Sequence, residues 1–458
     1  MTSGGRSARA LSGTIGVLLA LFVLRTYWRS PITTTADSLW SLHLVTSLLN
    51  HGDLNLDEYR RLIGSDDYRV EERQGHLYST FPSGTTFVAA PILAILDTFP
   101  TLTGRRELTE TTLQRYLATH EPDAVIFQVE QRAASLIVAL NVLAVFALAR
   151  RYLPVAQSIA LSAIFAFATP AWSVASRALW QHGPSMLCLT VTLLLLIAAS
   201  EHPALSAAAA VPLAFSYVVR PTNAISIVVL TAYVLAAYRQ YVGYFTLGLL
   251  AVLCPFAIHN YSTYQSLLPP YYAAQRLTGL SFGALAGNLV SPSRGLLIFS
   301  PIFVFSAYGV YPGIGGSETR IWSRLELYIG LCVVLHWIAI SAFPHWYGGW
   351  TIGPRFFTDM VPYLCFLIVP VVRDVAQWRP SSRPVQTALA MTFTAALAFS
   401  VFVHYRGANV RGPFSWNGVP IDVDKRPQRL WDWTDMQGLR GLCGDDVAVP
   451  RCWLARKP

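Results

Sequence analysis

Long apolar runs separated by short polar connections make up most of the chain. With their polar flanks, most of these runs approach the ~20 residues that a helix needs to cross a ~30 Å hydrocarbon core. The runs cover residues 11–24, 133–149, 155–167, 186–199, 205–219, 224–237, 245–259, 296–308, 327–343, 361–372 and 387–403. This pattern predicts an all-α polytopic membrane protein with about eleven transmembrane helices.

Two runs need separate interpretation. Residues 11–24 follow Arg6 and Arg9, but the bulky, basic TYWRSPITT that comes next lacks a small-residue cleavage site, so we interpret this run as an uncleaved first span. Residues 85–96 are broken by Pro91 and are too short to cross, which predicts an interfacial or re-entrant helix. The chain then divides into a transmembrane domain, 1–403, whose first outer loop is 25–132, and a polar C-terminal tail, 404–458.

Composition and charge support a membrane protein and help to orient it. Of 458 residues, 53% are hydrophobic and 13% charged, and the net charge of +9 comes from scattered arginines, a distribution that argues against nucleic-acid binding. Short cytoplasmic loops are enriched in Lys and Arg. A cytoplasmic N-terminus satisfies this bias for most loops, although Arg25 and Arg29 oppose it. We expect a multi-pass protein of the cytoplasmic membrane with its polar motifs on the outer face.

The cysteines are divided between the apolar runs and the tail. Four of the six lie inside apolar runs, where a buried thiol is common: Cys188, Cys254, Cys332 and Cys365. Cys443 and Cys452 lie in the polar tail, and their spacing leaves both a disulfide and free thiols open.

Asp37 directly follows the first span, at the membrane boundary. A carboxylate at such a boundary marks a functional site unless it is hydrated or paired. The alternative is that Asp37 caps the amphipathic stretch SLWSLHLVTSLLN that follows, because Asp is a favoured N-cap residue. The two roles are compatible.

Arginines and aromatic residues recur in the other outer motifs, and the densest of these motifs is HWYGGWTIGPRFFTD at residues 345–359. Guanidinium groups that could bind a phosphate belong to Arg355, Arg294, Arg177 and Arg220. Ring side chains that could bind a sugar or lipid belong to His345, Trp346, Tyr347, Trp350, His182 and Tyr78. Taken singly, each is explained as an interfacial or structural residue. Their occurrence together on one predicted face indicates a binding site.

Several enzyme classes lack support in the sequence. There is no HExxH motif, paired CxxC motif or P-loop, so a zinc-dependent or nucleotide-dependent enzyme is disfavoured. Whether a divalent metal takes part is left undecided.

The order of the motifs resembles that of the GT-C membrane glycosyltransferases, which include protein O-mannosyltransferases and the lipid A aminoarabinose transferase. A bacterial branch described as mannosyltransferase-like or lipopolysaccharide-core galacturonosyltransferase-like is similar in GHLYSTFPSG, TPAWSVASRALWQHGP, RPTNA, SPSRGLLIFSP, HWYGGWTIGPRFF and RLWDWTD. The resemblance implies transfer of a sugar from a polyprenyl-phosphate donor to a lipid, glycan or protein acceptor, with the first-loop acid, Asp37, as base. Candidates for a second acid in that loop are Asp53, Asp57, Asp66, Asp67, Glu71 and Glu72.

The predicted chemistry is a single displacement with inversion at the anomeric carbon, in which arginines stabilise the departing phosphate. The main alternative is a transporter or flippase of a lipid-linked sugar, which would commonly place its site at the membrane midplane between internal repeats. The one-sided motifs and the lack of a repeat favour the enzyme. A third interpretation is a non-catalytic assembly subunit that docks through its tail.

Overall fold

The computed structural model of the chain describes residues 3–34, 36–98, 124–272, 279–310, 324–379, 381 and 383–442. Most of these residues are helical. The α-helices are α1 (Ser3–Arg29), α2 (Ser41–Asn50), α3 (Gly84–Thr98), α4 (Ala124–Ala149), α5 (Val155–Phe167), α6 (His182–Ala198), α7 (Leu205–Ala208), α8 (Ala210–Val219), α9 (Ala224–Ala237), α10 (Val242–Tyr264), α11 (Phe282–Val290), α12 (Leu296–Phe299), α13 (Ser306–Val310), α14 (Leu325–Ser341), α15 (Val361–Leu367), α16 (Val369–Ala376), α17 (Pro384–Asn409) and α18 (Arg411–Ser415).

Four helices in the described part of the chain are long and apolar enough to cross a membrane: α1, α4, α10 and α17. A fifth span results if Arg355–Leu367 and Val369–Ala376, which are bent by 46° at their junction, are counted together. The prediction of a multi-pass helical membrane protein is therefore confirmed, whereas the count of about eleven spans is not. Many predicted spans are shorter helices. In one of them Pro301, which has no N–H to donate, separates α12 from a 3₁₀ turn and α13.

The faces that the long helices expose are apolar. Leu18 on α1, Leu247 on α10 and Met391 on α17 are 60%, 65% and 67% exposed. A water-soluble protein rarely exposes apolar surface of this extent, so these faces suit contact with lipid. Helix α4 is the opposite case. Because it packs between α1, α5 and α6, 67% of its apolar stretch is buried.

The segment from 36 to 98 forms a small subdomain with its own apolar core. Helices α2 and α3 pack together, and Trp40, Leu44, Tyr59 and Leu93 form a core that extends to the start of α4. The strands β1 (Val70–Arg73) and β2 (His76–Ser79) pair antiparallel. The predicted all-α fold is therefore wrong at this hairpin. Its two-residue turn, Gln74–Gly75, has positive φ at both positions, a conformation that favours glycine.

The chain after α17 folds back onto the helical domain. Trp416 is fully buried, and its indole N–H donates to the carbonyl oxygen of Asp435 at 2.8 Å. Asp435 also forms a buried ion pair with Arg440 at 2.6 Å. These contacts make residues 411–442 part of the fold. Cys443 and Cys452 lie outside the described residues, so their predicted disulfide is not addressed by the structure.

The cysteines in the apolar runs do not all fill the core. Cys188, Cys332 and Cys365 are buried free thiols, as predicted. Cys254 is exposed on α10, one of the helices that present an apolar face outward. The prediction was wrong for this residue because an apolar helix leaves part of its circumference outside the protein core.

Gly84 sets the distance between α3 and α8. A Cβ atom at Gly84 would lie 2.5 Å from the backbone nitrogen and Cα of Val219, which cannot move aside as a flexible side chain would. We expect Gly84→Ala to lower the free energy of unfolding by about 1–3 kcal/mol through overpacking. Thermal unfolding of the purified protein in lipid nanodiscs measures this. Gly243→Ala is the control, since nothing lies within 4 Å of a Cβ atom there, and equal losses in both variants would contradict the prediction.

Candidate active site

Asp37 lies in the connection between α1 and α2, and its carboxylate does not cap α2. That helix begins at Ser41, after Trp40, and has no side-chain cap. The capping interpretation is therefore wrong. One carboxylate oxygen of Asp37 accepts a hydrogen bond of 2.7 Å from the Tyr68 hydroxyl, and the other is ion-paired with Arg355. Asp37 thus joins the hairpin subdomain to a loop more than three hundred residues away in sequence.

Backbone contacts fix the segment that carries Asp37. The Ile32 N–H donates to the carbonyl oxygen of Ala408 at 3.2 Å, and the Thr34 N–H donates to that of Arg177 at 3.4 Å. The Arg69 guanidinium, which is paired with Asp67, donates to the Ala36 carbonyl oxygen at 3.0 Å. The position of the carboxylate therefore depends on three separate parts of the chain.

Arg355 is held on three sides. It follows Pro354 at the start of a 3₁₀ helix, Arg355–Met360. Its Nη1 donates to the carbonyl oxygen of Gly348 at 3.0 Å, and its Nε lies 3.3 Å from Nε2 of His182. The guanidinium carbon lies 4.0 Å from the centre of the Trp180 ring, a cation–π contact. Gly348 has a φ of +75°, a conformation that turns the loop back towards Arg355.

A second carboxylate, Asp359, is buried behind Arg355. It pairs with Nε of Arg220 at 2.9 Å and with Nδ1 of His182 at 3.2 Å, and it is fully inaccessible to solvent. His182 contacts Arg355 as well, so the two Arg–carboxylate pairs form one network. No role for Asp359 was predicted from the sequence. A charged residue at the entry to an apolar run was the available signal.

The electrostatics of Asp37 favour its charged form. Burial acts to raise the pKa of the Asp37 carboxyl, but the charge and hydrogen bond of Arg355 and the hydrogen bond from Tyr68 leave that pKa below its ordinary value. Burial and the neighbouring carboxylate raise the pKa of the Tyr68 hydroxyl, so Tyr68 stays protonated and donates. At neutral pH, Asp37 is therefore an anion that the protein already neutralises.

Asp37 and Arg355 line a pocket of about 730 Å³ that includes space open to solvent. Its charged and imidazole side chains are Asp37, His182, Arg220 and Arg355. Its aromatic side chains are Phe81, Trp180, Tyr271, Tyr272, Phe343 and Phe356. Its remaining polar side chains are Ser38, Ser41, Ser79, Thr85, Thr86, Gln181 and Thr222. The mixture of aromatic faces with a few polar groups is typical of a site for an amphipathic small molecule.

Two of the predicted phosphate-binding arginines have a different role. Arg177 is fully buried and donates to the carbonyl oxygens of Tyr27 and Ser30, each at 2.9 Å. Arg294 is 1% exposed and donates to Gln437 at 2.6 Å and Asn417 at 2.7 Å. Neither lines the pocket. Because both side chains lie outside the pocket and donate to protein acceptors instead, we leave both out of the site.

The aromatic run next to Arg355 packs against the C-terminal residues. Tyr347 shares an apolar cluster with Trp416, and Trp346 packs against the same cluster. The Trp350 indole donates to Asp422 at 3.2 Å. The predicted ring set His345, Trp346, Tyr347, Trp350 and Tyr78 does not line the described pocket; only His182 does. Tyr271 and Tyr272 were not predicted, because spacing alone does not distinguish a pocket ring from an interfacial one.

None of the predicted second acids of the first loop lines the described pocket. Asp57 contacts His76 and the backbone N–H of Leu77, and Asp67 pairs with Arg69. In the ranges that the structure describes, no three His, Cys, Asp or Glu side chains are grouped so that they could hold a metal ion.

Comparisons with known proteins add little to this geometry. No family model matches the sequence, and no curated protein matches it significantly. Among solved structures, the crystal structure of ArnT from Cupriavidus metallidurans bound to undecaprenyl phosphate is similar to this chain, with 13% sequence identity and a TM-score of 0.49. The alignment covers 89% of this chain and 76% of that one. At this identity and score, the likeness does not assign a function to this chain.

The buried pair behind the pocket gives a stability prediction. Asp359→Asn removes the negative charge that neutralises the buried Arg220 guanidinium. We expect this substitution to lower the free energy of unfolding by about 3–5 kcal/mol. Thermal unfolding in nanodiscs measures the loss. Glu72→Gln is the control, because the Arg60–Glu72 pair is exposed and such pairs contribute about 0–1 kcal/mol. A loss for Asp359→Asn no larger than that of the control would refute the structural role.

Proposed function

We propose that the chain is a membrane glycosyltransferase that moves a sugar from a polyprenyl-phosphate donor to an acceptor hydroxyl at the outer face of the cytoplasmic membrane. The observation that carries the proposal is the contact between Asp37 and Arg355 in a pocket lined by aromatic and polar side chains. It places a carboxylate suited to accept a proton beside a guanidinium suited to bind a phosphate. The motif order that resembles the GT-C glycosyltransferases agrees with this chemistry.

In the proposed reaction, Asp37 accepts the proton of the acceptor hydroxyl. The acceptor oxygen then attacks the anomeric carbon from the side opposite the phosphate, and the bond between that carbon and the phosphate oxygen breaks. Polyprenyl phosphate leaves with the bonding electrons, and the sugar is transferred with inversion. A phosphate is a weak base, so its departure requires stabilisation of negative charge and no general acid.

Arg355 is the residue best placed to provide that stabilisation. Its planar guanidinium can donate to two oxygens of one phosphate, and Gly348, His182 and Trp180 fix its orientation. Arg220 lines the same pocket and is the second candidate. Because Arg220 is already ion-paired with Asp359, we assign to Arg220 mainly a contribution to the electrostatic potential behind the phosphate.

The ion pair gives the proposed mechanism an order. Without donor, Arg355 neutralises Asp37 and keeps its pKa low, which makes it a weak base. A donor phosphate competes with Asp37 for the same guanidinium. Once Arg355 donates to the phosphate in place of the carboxylate, Asp37 loses its counter-charge and becomes more basic. Donor binding therefore prepares the base for the acceptor, so we propose that the donor binds first.

Asp37→Asn separates catalysis from binding. Loss of the base should lower the transfer rate by roughly 10²–10⁴-fold. Affinity for polyprenyl phosphate should be unchanged or higher, because the neutral amide competes less well for Arg355. Incubation with a labelled polyprenyl-phosphate sugar, read as release of polyprenyl phosphate, measures the first effect, and equilibrium binding in nanodiscs measures the second.

The control for Asp37→Asn is Asp66→Asn, since Asp66 is exposed on the same loop and lies outside the pocket. Full transfer by Asp37→Asn would refute the assignment of the base. Movement of the intact lipid-linked sugar between leaflets, with no polyprenyl phosphate released by the wild type, would instead support the flippase.

Arg355→Lys tests recognition of the phosphate. Lysine keeps the charge but lacks the planar fork, so we expect the dissociation constant for polyprenyl phosphate to rise by about tenfold, consistent with loss of one charge-assisted hydrogen bond. Arg373→Lys is the matched control, because Arg373 is an exposed residue paired loosely with Asp374 at 3.6 Å. Unchanged binding in Arg355→Lys would show that the phosphate binds elsewhere.

A further inference from the structure

The pocket contains buried polar groups that the proposed mechanism does not use. Ser38 is 1% exposed and Thr85 is 4% exposed, yet neither hydroxyl has a hydrogen-bond partner among the described residues. The side-chain N–H₂ of Gln181 is likewise buried without a partner there. Buried polar atoms in proteins are nearly always paired, so an unpaired set in one pocket points to a ligand that supplies the partners.

The three residues line the same pocket as Asp37 and Arg355. Ser38 is adjacent in sequence to Asp37, and Gln181 stands between Trp180 and His182, both of which contact Arg355. Thr85 follows Gly84, whose close contact with Val219 places the start of α3 beside the residue before Arg220. A sugar whose anomeric carbon lay between Asp37 and Arg355 would bring its ring hydroxyls to this part of the pocket.

The amide of Gln181 is oriented by a neighbour. The Tyr272 hydroxyl donates to Gln181 Oε1 at 2.7 Å, which uses the acceptor end and leaves the N–H₂ end to donate. The Ser38 and Thr85 hydroxyls can both donate and accept. Two hydroxyls and one amide N–H₂ match the hydroxyl groups of a sugar ring, which also donate and accept.

The charges of the pocket limit which sugar it takes. Its two arginines are each paired with a carboxylate, Arg355 with Asp37 and Arg220 with Asp359. A donor phosphate would use Arg355, and the described lining then offers no uncommitted cation for a second anionic group. A sugar carboxylate would have to enter this pocket unpaired, at a high desolvation penalty.

We infer that Ser38, Thr85 and Gln181 form the subsite that binds the hydroxyls of the transferred sugar, and that this sugar is uncharged. The inference rests on the proposed function and deepens it, because it names the class of donor as a polyprenyl-phosphate neutral sugar. It opposes the uronic-acid specificity that part of the sequence resemblance implies.

The test is equilibrium binding of three lipids to the protein in nanodiscs: polyprenyl phosphate, polyprenyl-phosphate hexose and polyprenyl-phosphate hexuronic acid. Wild type should bind the hexose lipid most tightly and the hexuronate lipid more weakly than the hexose lipid. Ser38→Ala, Thr85→Val and Gln181→Leu should each weaken binding of the hexose lipid by about 3–10-fold, the effect of one neutral hydrogen bond. Binding of the sugar-free lipid should not change.

Two further variants separate recognition from folding. Thr85→Ser keeps the hydroxyl and should keep the affinity for the hexose lipid. Ser47→Ala removes a buried hydroxyl of α2 that donates to Glu58 at 3.2 Å, away from the pocket, and should leave the preference among the three lipids intact. Loss of affinity for the sugar-free lipid in the three subsite variants would show a folding defect and overturn the assignment.

The binding and release measurements test the sugar subsite and the transfer reaction separately. If wild type binds the sugar-free and hexose lipids equally, or prefers the hexuronate lipid, the subsite is wrong even if the protein transfers a sugar. If wild type shows the hexose preference but releases no polyprenyl phosphate in the presence of acceptors, transfer is refuted and the subsite stands.

Discussion

The site depends on the pairing of opposite charges among side chains that are largely shielded from water. Arg355 and Arg220 each face one carboxylate, and His182 joins the two pairs. An unpaired charge in such surroundings is strongly destabilising, so each partner fixes the position of the other. Asp37 and Arg355 are 318 positions apart in sequence. For this contact to form, four parts of the chain must be in place together. They are the connection between α1 and α2, the start of α6, the end of α8 and the loop that precedes Arg355.

The arginines outside the pocket supply the frame for this network. The Arg177 guanidinium donates to carbonyl oxygens at the end of α1. The backbone carbonyl oxygen of Arg177 accepts from the N–H of Thr34, near Asp37. Arg294 binds the backbone of Tyr347 and Gly349 as well as two amides of the C-terminal residues. Both arginines are thus positioning residues: one organises the segment that carries the carboxylate, the other the loop that carries the guanidinium.

Sequence reasoning predicted the chemistry of the centre better than its extent. Asp37 was predicted as the base because it is a carboxylate at a membrane boundary, and Arg355 as one of four arginines for the phosphate. Their direct contact was not predicted. Arg177 and Arg294 also lie in polar motifs between apolar runs, and only the folded chain shows that neither of them lines the pocket. The hairpin was missed because the surrounding helical periodicity dominated. The span count was missed because prolines divide apolar runs into short helices.

The hydrogen bonds of Arg294 also determine when, during synthesis of the chain, the site can form. Two of the Arg294 acceptors, Asn417 and Gln437, follow all the long helices in the chain, and Gln437 also accepts from the backbone N–H of Gly353. The loop that presents Arg355 therefore gains its final hydrogen bonds only after residue 437 has left the ribosome. All the helices that precede it can be inserted into the bilayer before that moment. Completion of the pocket therefore requires synthesis through residue 437, so a chain interrupted before that residue would lack these hydrogen bonds.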